Sequence, residues 1–362
     1  MSRHLIHDLH IHLRQGSLMR AVAPHLNRAG IGAAFVMPNL KPPVTTTDMA
    51  VEYRNQLQAL APNVAFLMSL YLSPSLTPAE IRKAKKAGVV GVKSYPRGVT
   101  TNSEGGIESY SVYYDVFKAM EEEDMVLNLH GEVPSDHEKD ICVLNAEEKF
   151  LTHLKQLHKD FPKLRIILEH ATTKAAVDCV KSLGSSVACT ITIHHLELVV
   201  DDWAGKVHNY CKPVAKYPHD RKALQDVVKE GHPRFFLGTD SAPHPRHMKE
   251  TSCCAAGVYT GPYILAYLAN ALASFGAIER LDQFGREFGA HFYKLKESDL
   301  RGAEAVMLLK EPFKVPEVLK FVDDEGVDRE IVPYRAGETL LYTVMADASR
   351  NGNLKRKAEG LA

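Results

Sequence analysis

The chain has 362 residues, 45% of them hydrophobic, with 44 basic and 44 acidic side chains. That is enough apolar material for a sizeable core, and it leaves no charge surplus to favour nucleic acid or an anionic membrane. No run approaches the roughly 20 apolar residues of a membrane span, Met1-Ser2-Arg3-His4-Leu5 lacks the apolar stretch of a signal peptide, and six cysteines without a Cys-x-x-Cys fit reduced thiols in a cytoplasmic protein.

Short β-branched runs alternate with stretches of helical spacing. In chain order they predict a strand at 5–12, a strand at 33–38 with a helix at 47–60, and a strand at 64–72 with a helix at 77–87. Strand 89–94 follows with helix 109–123, strand 125–130 with helix 145–160, and strand 165–170 with helix 173–183. Strand 187–193 with helix 219–230 and strand 235–240 complete the series. Thr77-Pro78-x-Glu80 has a cap, a first-turn proline and an acid behind it, the signature of a helix start.

Next comes a loop over 241–261, then helices near 262–274 and 281–291. A strand-like segment at 318–322, a turn at Asp323-Asp324-Glu325-Gly326 and a strand-like segment at 339–344 end the series. Lys355-Arg356-Lys357 reads as a solvated tail, and Cys253-Cys254 as packing or loop residues.

Eight strands alternating with helices make a barrel or a doubly wound sheet. Reactive side chains gather at the C-terminal ends of five runs, the face that carries active sites in barrels. No glycine-rich phosphate loop follows the first run, as an open sheet would usually show. The prediction is an α/β fold, a (β/α)₈ TIM barrel over residues 1–310, with a small appendage at 311–362 packed on it rather than folding independently.

The strongest local signal is Asp8-Leu9-His10-Ile11-His12-Leu13-Arg14. Strand alternation puts Asp8, His10, His12 and Arg14 on one face and Leu9, Ile11 and Leu13 on the other. Two neighbouring inward imidazoles suit a divalent metal, although a lone His-x-His is weak evidence. Other runs end on His130, on Glu169-His170 and on Asp240. Four histidines and an aspartate at equivalent strand ends are hard to explain as separate core residues. His4, His7, His25, His153 and His158 keep the ordinary reading as structural or surface residues.

Lys93 ends the apolar run 89–92 and is predicted to point into the same cavity. A buried ammonium beside metal ions is untenable. A buried lysine loses its proton readily, and the neutral amine can capture CO₂ as a bridging carbamate. The rival is a lysine reaching the rim to pair with an acid.

His-x-His on the first strand, lysine on the fourth, histidines on the fifth and sixth and aspartate on the eighth resemble the binuclear-metal amidohydrolase superfamily. The longer stretches 8–14, 36–46, 93–96, 100–103, 129–133, 168–174, 236–244 and 336–340 are similar to the dihydroorotase family in its free-standing short form. The resemblance spans nearly the whole chain. It implies reversible hydrolysis of dihydroorotate to N-carbamoyl-aspartate in pyrimidine biosynthesis.

It further implies two zinc ions, His10, His12 and Asp240 on one, His130 and His170 on the other, and carbamylated Lys93 between them. Two such ions about 3.5–4 Å apart would share a hydroxide, with Asp240 as general acid and base. Arg14, Asn39 and His244 would bind the substrate carboxylate, Thr100 and Thr101 would touch substrate from a mobile loop over 96–103, and Ala256 would give backbone contacts. The resemblance also implies a homodimer. Lys212 stands where it leads one to expect an apolar residue beside the substrate, and Cys253-Cys254-Ala255-Ala256 differs from the family's pattern. The rivals are another cyclic amidohydrolase, which would need no carboxylate clamp, and a non-catalytic barrel, which would have no need of every ligand.

Overall fold

The computed structural model describes residues 2–345 except 28, 108 and 304, so the Lys355-Arg356-Lys357 tail and part of the expected appendage lie outside the described residues. After β1 (Ser2–His4) come eight parallel strands, β2 (Ile6–Ile11), β3 (Ile31–Val36), β4 (Ala65–Tyr71), β5 (Gly91–Ser94), β6 (Val126–His130), β7 (Arg165–Glu169), β8 (Val187–Ile191) and β9 (Phe235–Leu237). They are hydrogen-bonded side by side in sequence order. The ring closes past the end of β9, where Asp240 N donates to His10 O at 2.8 Å and His12 N donates to Ser241 O at 3.0 Å. The predicted TIM barrel is present.

The connecting helices follow their local signals. The helix Thr47–Leu60 is capped by Thr46, Pro78–Lys86 by Thr77 and Lys174–Ser182 by Thr173, each side-chain oxygen accepting a first-turn N–H that would otherwise lack a partner. The predicted strand 187–193 is too long. Thr192 accepts from His195 N and starts the helix Ile193–Glu197, so the run ends at Ile191.

Two apolar layers share the strands by alternation. Ala34 and Val36 face the surrounding helices, whereas Ala33, Phe35 and Met37 fill the barrel with Leu67, Val126, Ile167, Ala188 and Phe236. The floor of that interior is closed by Phe292 and Tyr293 from the helix Phe288–Tyr293.

The first strand departs from the predicted alternation. Asp8 pairs with Ala34 and Ile11 with Val36, so β2 carries one residue more than β3 between those pairs. The bulge turns Leu9 inward with the interior cluster, while Ile11 and Leu13 stay outward as expected. Asp8 does not join the histidines. Its carboxylate accepts from Thr239 N (2.8 Å) and Thr239 Oγ1 (2.6 Å), tying the first strand to the last.

Beyond the barrel lie β10 (Val306–Leu309), β11 (Phe313–Lys314), β12 (Leu319–Val322), β13 (Asp328–Ile331), β14 (Thr339–Leu340) and β15 (Thr343–Met345). β10 pairs with both β1 and β15, so the two ends of the described chain meet in one small sheet. β12 and β13 form a hairpin around the predicted 323–326 turn, and the strand-like 339–344 segment divides into β14 and β15. All six cysteines are unpaired, and no helix among the described residues is long and apolar enough to cross a membrane.

Candidate metal and substrate site

At the C-terminal end of the barrel, His10, His12, His130, His170 and Asp240 line one pocket, with Lys93 buried beside them. The His10 ring lies 5.5 Å from His12 and 4.9 Å from His170, and His130 lies 4.7 Å from His170. His12 Nε2 stands 3.0 Å and His10 Nε2 3.5 Å from Asp240 Oδ1.

The ligand-bearing ends are sharply bent. His170 has φ 41° and Asp240 φ 48°, left-handed values unusual for residues other than glycine. This bend explains how Glu169 and His170, adjacent in sequence, both reach the interior.

Three of the four imidazoles are oriented by a partner behind them, whereas His170 Nδ1 has none among the described residues. His10 Nδ1 donates to Glu169 Oε2 at 2.7 Å, and His12 Nδ1 donates to Asn39 Oδ1 at 2.8 Å, leaving each Nε2 for the pocket. His130 Nε2 contacts Glu132 Oε2 at 3.0 Å, leaving Nδ1. Glu169 is itself held by Asn128 Nδ2 and Thr190 Oγ1, both at 2.5 Å.

Burial holds all four imidazoles below their ordinary pKa, and the Lys93 charge lowers them further, so they stay neutral as metal ligands must. Burial pushes the Asp240 carboxyl up, but the His12 hydrogen bond and the neighbouring His10, His12 and His194 overcome it and hold it well below the usual range. Burial brings the Lys93 amine down to about 8, against the pull of Glu169 and Asp240. Its Nζ has no hydrogen-bond partner.

These donors fit a pair of divalent ions. The cluster sets four neutral imidazoles, one carboxylate and one orphaned amine around a single space. Two groups among the described residues have spacing that could hold an ion: His10, His12 and Asp240, and His194, His195 and Cys211. In the second, His195 Nε2 and Cys211 Sγ both lie 3.1 Å from Pro213 O, so two of its three donors converge on a carbonyl.

Of the predicted substrate residues, Arg14, Asn39, Thr100, Thr101 and Ala256 line the same pocket, and His244 stands behind that wall against Arg14 and Ala256. Arg14, at φ 60°, donates from Nε to Pro243 O (2.9 Å), and its Nη2 lies 3.0 Å from His244 Nε2. His244 Nε2 also lies 3.0 Å from Ala256 O. Thr100, Thr101, Lys212, Ala256 and Gly257 complete the walls.

Asn39 lines the pocket and makes two further bonds behind it. Its side-chain oxygen orients His12, while Nδ2 donates to Thr101 O at 3.0 Å. Asn102 Nδ2 donates to Asn39 O at 2.8 Å, so Asn39 fastens the 97–107 loop over the pocket.

Sequence reasoning gave no role to Glu132, Glu169, Thr190 or Asn128. The available signal was the need of a buried ligand histidine for a second partner, with Glu132 two residues after His130 and Glu169 at the end of a neighbouring strand run.

A model of the amidohydrolase family matches residues 5–277. A dihydroorotase of Mycosarcoma maydis is 49% identical to the chain, over 93% of it and 96% of the relative. A crystal structure of dihydroorotase in complex with 5-fluoroorotic acid from Saccharomyces cerevisiae superposes with a TM-score of 0.89 at 45% identity, covering 94% of this chain and 97% of that one. A dihydroorotase crystal structure from Campylobacter jejuni gives 0.83 at 32% identity, covering 94% and 96%.

Proposed function

The chain belongs to the dihydroorotase branch of the amidohydrolase family, and from that premise we propose that it interconverts (S)-dihydroorotate and N-carbamoyl-L-aspartate in pyrimidine biosynthesis. The observation that carries this reading is one pocket walled by the ligand cluster and by Arg14. A plain dihydropyrimidine offers the Arg14 guanidinium only neutral carbonyls, whereas dihydroorotate offers a carboxylate for a charge-assisted, bidentate pair.

His10, His12 and Asp240 would hold one Zn²⁺ and His130 and His170 the other, with Lys93 between them. The Lys93 amine adds CO₂, forming an N–C bond and releasing one proton, and so becomes an anionic ligand. When bound, the two ions supply a water acidified into the neutral range and a polarised amide carbonyl.

The chain's own residues do the rest. Asp240 takes the proton at its carboxylate and delivers it to the leaving ring nitrogen. Arg14, Asn39 and His244 grip the substrate carboxylate, Asn39 also holds the His12 tautomer, and Thr100 and Thr101 close the loop on the ring and exclude water. Ala256 meets the substrate through its backbone.

We assign residues 1–310 to this catalytic barrel and 311–362 to an appendage that depends on it. The small-molecule enzyme is proposed to be a cytoplasmic homodimer. The six unpaired thiols support the compartment, the dimer rests on family resemblance, and light scattering showing a monomer would remove it.

Arg14→Met should lower kcat/KM for dihydroorotate by about 100-fold through loss of a charge-assisted grip, with metal content unchanged. Full activity in that variant would move the assignment to a cyclic amide without a carboxylate.

A further inference from the structure

Lys249 ends the short helix Arg246–Lys249 and is only 3% exposed. Its ammonium has three N–H donors, and all are used on backbone carbonyls, those of Tyr210 at 2.9 Å, Ala255 at 2.8 Å and Gly257 at 2.7 Å. These carbonyls belong to two separate segments, and both wall the pocket. One runs directly into Lys212, and the other contains Ala256 and Gly257. A single side chain therefore joins two sides of the site.

Its hydrogen bonding is complete and its charge is not. Among the described residues no carboxylate pairs with Lys249, and the groups that act on it electrostatically are Cys211, Cys254 and Arg14. Arg14 is a second, half-buried cation in the same region. Its guanidinium bonds Pro243 O and His244, and it feels Asp240 without pairing to it. His244, between them in effect, is kept neutral by burial and by the charges of Arg14 and Lys249.

Buried charges without a partner are costly and rare. A neutral amide side chain, with two N–H donors, could serve two of the three carbonyls without burying a charge. A lysine at this position makes physical sense if the missing negative charge arrives with the ligand.

We propose that Lys249 is a positioning residue for the anionic end of the substrate: it pins the Tyr210 and 255–257 walls, and the bound carboxylate answers its unpaired charge. This rests on the dihydroorotase reading above. It adds to Arg14 a second cation that never touches the ligand directly and makes the pocket select an anion.

The test uses the metal-loaded protein and two inhibitors of the same shape, orotate with its carboxylate and orotamide with a neutral carboxamide. Lys249→Gln keeps two of the three N–H donors and removes the charge, and the neutral orotamide registers whatever the lost third bond costs both inhibitors alike. It should weaken orotate by about ten-fold and orotamide by less than about three-fold, as the loss of one buried charge predicts, with metal content unchanged. Unchanged orotate binding, or equal weakening of both inhibitors, would overturn the proposal.

If Lys249→Gln does not fold, Lys249→Arg carries the test, because it keeps the charge with altered donor geometry. A wild-type ratio of orotate to orotamide affinity supports the proposal, and loss of that ratio overturns it. Wild-type protein that binds no orotate would overturn the reading of the reaction and this proposal together. Wild-type binding matched by Lys249→Gln would overturn this proposal alone.

Discussion

At the scale of single residues, the site is a set of neutral imidazoles, three of which have their second nitrogen committed elsewhere while His170 Nδ1 has no partner among the described residues. Glu169 decides which nitrogen of His10 faces the pocket, because its carboxylate at 2.7 Å fixes the proton on Nδ1. Glu169→Gln removes the charge that orients this ligand. Metal affinity should fall by about 10–100-fold, the usual effect of losing such a partner. Competition with a chelator measures it, and wild-type affinity would remove Glu169 from the metal site.

The gathering of His10, His12, Lys93, His130, His170 and Asp240 in one place was legible in the sequence, since these are residue types that metals favour at positions where barrel strands open. Glu132 and Glu169 were not, because a glutamate beside a histidine has many ordinary uses, and only the folded geometry shows which nitrogen it meets.

Glu147 shows burial acting on stability. Its two oxygens lie 2.8 and 3.1 Å from Thr172 N, and burial raises its carboxyl from 4.5 to about 7, against the pull of Lys216 and the hydrogen bonds. The folded chain therefore holds this proton more tightly than the unfolded chain. The stabilisation is complete below pH 4.5 and is lost as pH rises through about 7. Glu147→Gln stays neutral throughout, so between about pH 5 and about pH 8 it should gain on the wild type by at most about 3 kcal/mol. Urea unfolding at both pH values reads the difference, and a gap independent of pH would contradict the account.

At the scale of elements, the chemistry sits where regular structure ends. Arg14, His170 and Asp240 all have positive φ just past their strands, which costs of order 1–3 kcal/mol each and is sustained by the surrounding packing. Strand alternation located the interior histidines but could not show these bends, nor the extra residue in β2 that sends Leu9 inward and Asp8 to Thr239. A bulge inserts one residue without changing the residue types around it, so the pattern alone carries no mark of it.

The 97–107 loop is also held by local bonds. Ser103 Oγ donates to Thr100 O at 2.6 Å and accepts from Thr100 N at 3.0 Å, setting the two threonines against the pocket. Ser103→Ala should lower kcat/KM by about ten-fold, the worth of one or two buried hydrogen bonds, while metal content and melting temperature stay near wild type. Unchanged kinetics would show that the loop's position is set elsewhere.

At the scale of the whole molecule, barrel closure and the site are one construction. The bonds that complete the ring are made by the backbone of His10, His12, Asp240 and Ser241, so three of the residues that form the metal cluster also join the first strand to the last. The barrel was predictable from eight alternating runs because each buries its apolar residues locally. The three-stranded sheet of β1, β10 and β15 was not, since pairing between residues 2–4 and 306–309 leaves no periodic signal in either segment.

The most direct measurement is dihydroorotate hydrolysis by the purified protein, before metal removal, after it, and after zinc is restored in the presence of bicarbonate. The account predicts turnover that disappears with the metal and returns with zinc and bicarbonate together, as a Lys93 carbamate between two ions requires. Turnover that survives metal removal, or zinc-loaded protein that leaves dihydroorotate intact, would contradict it.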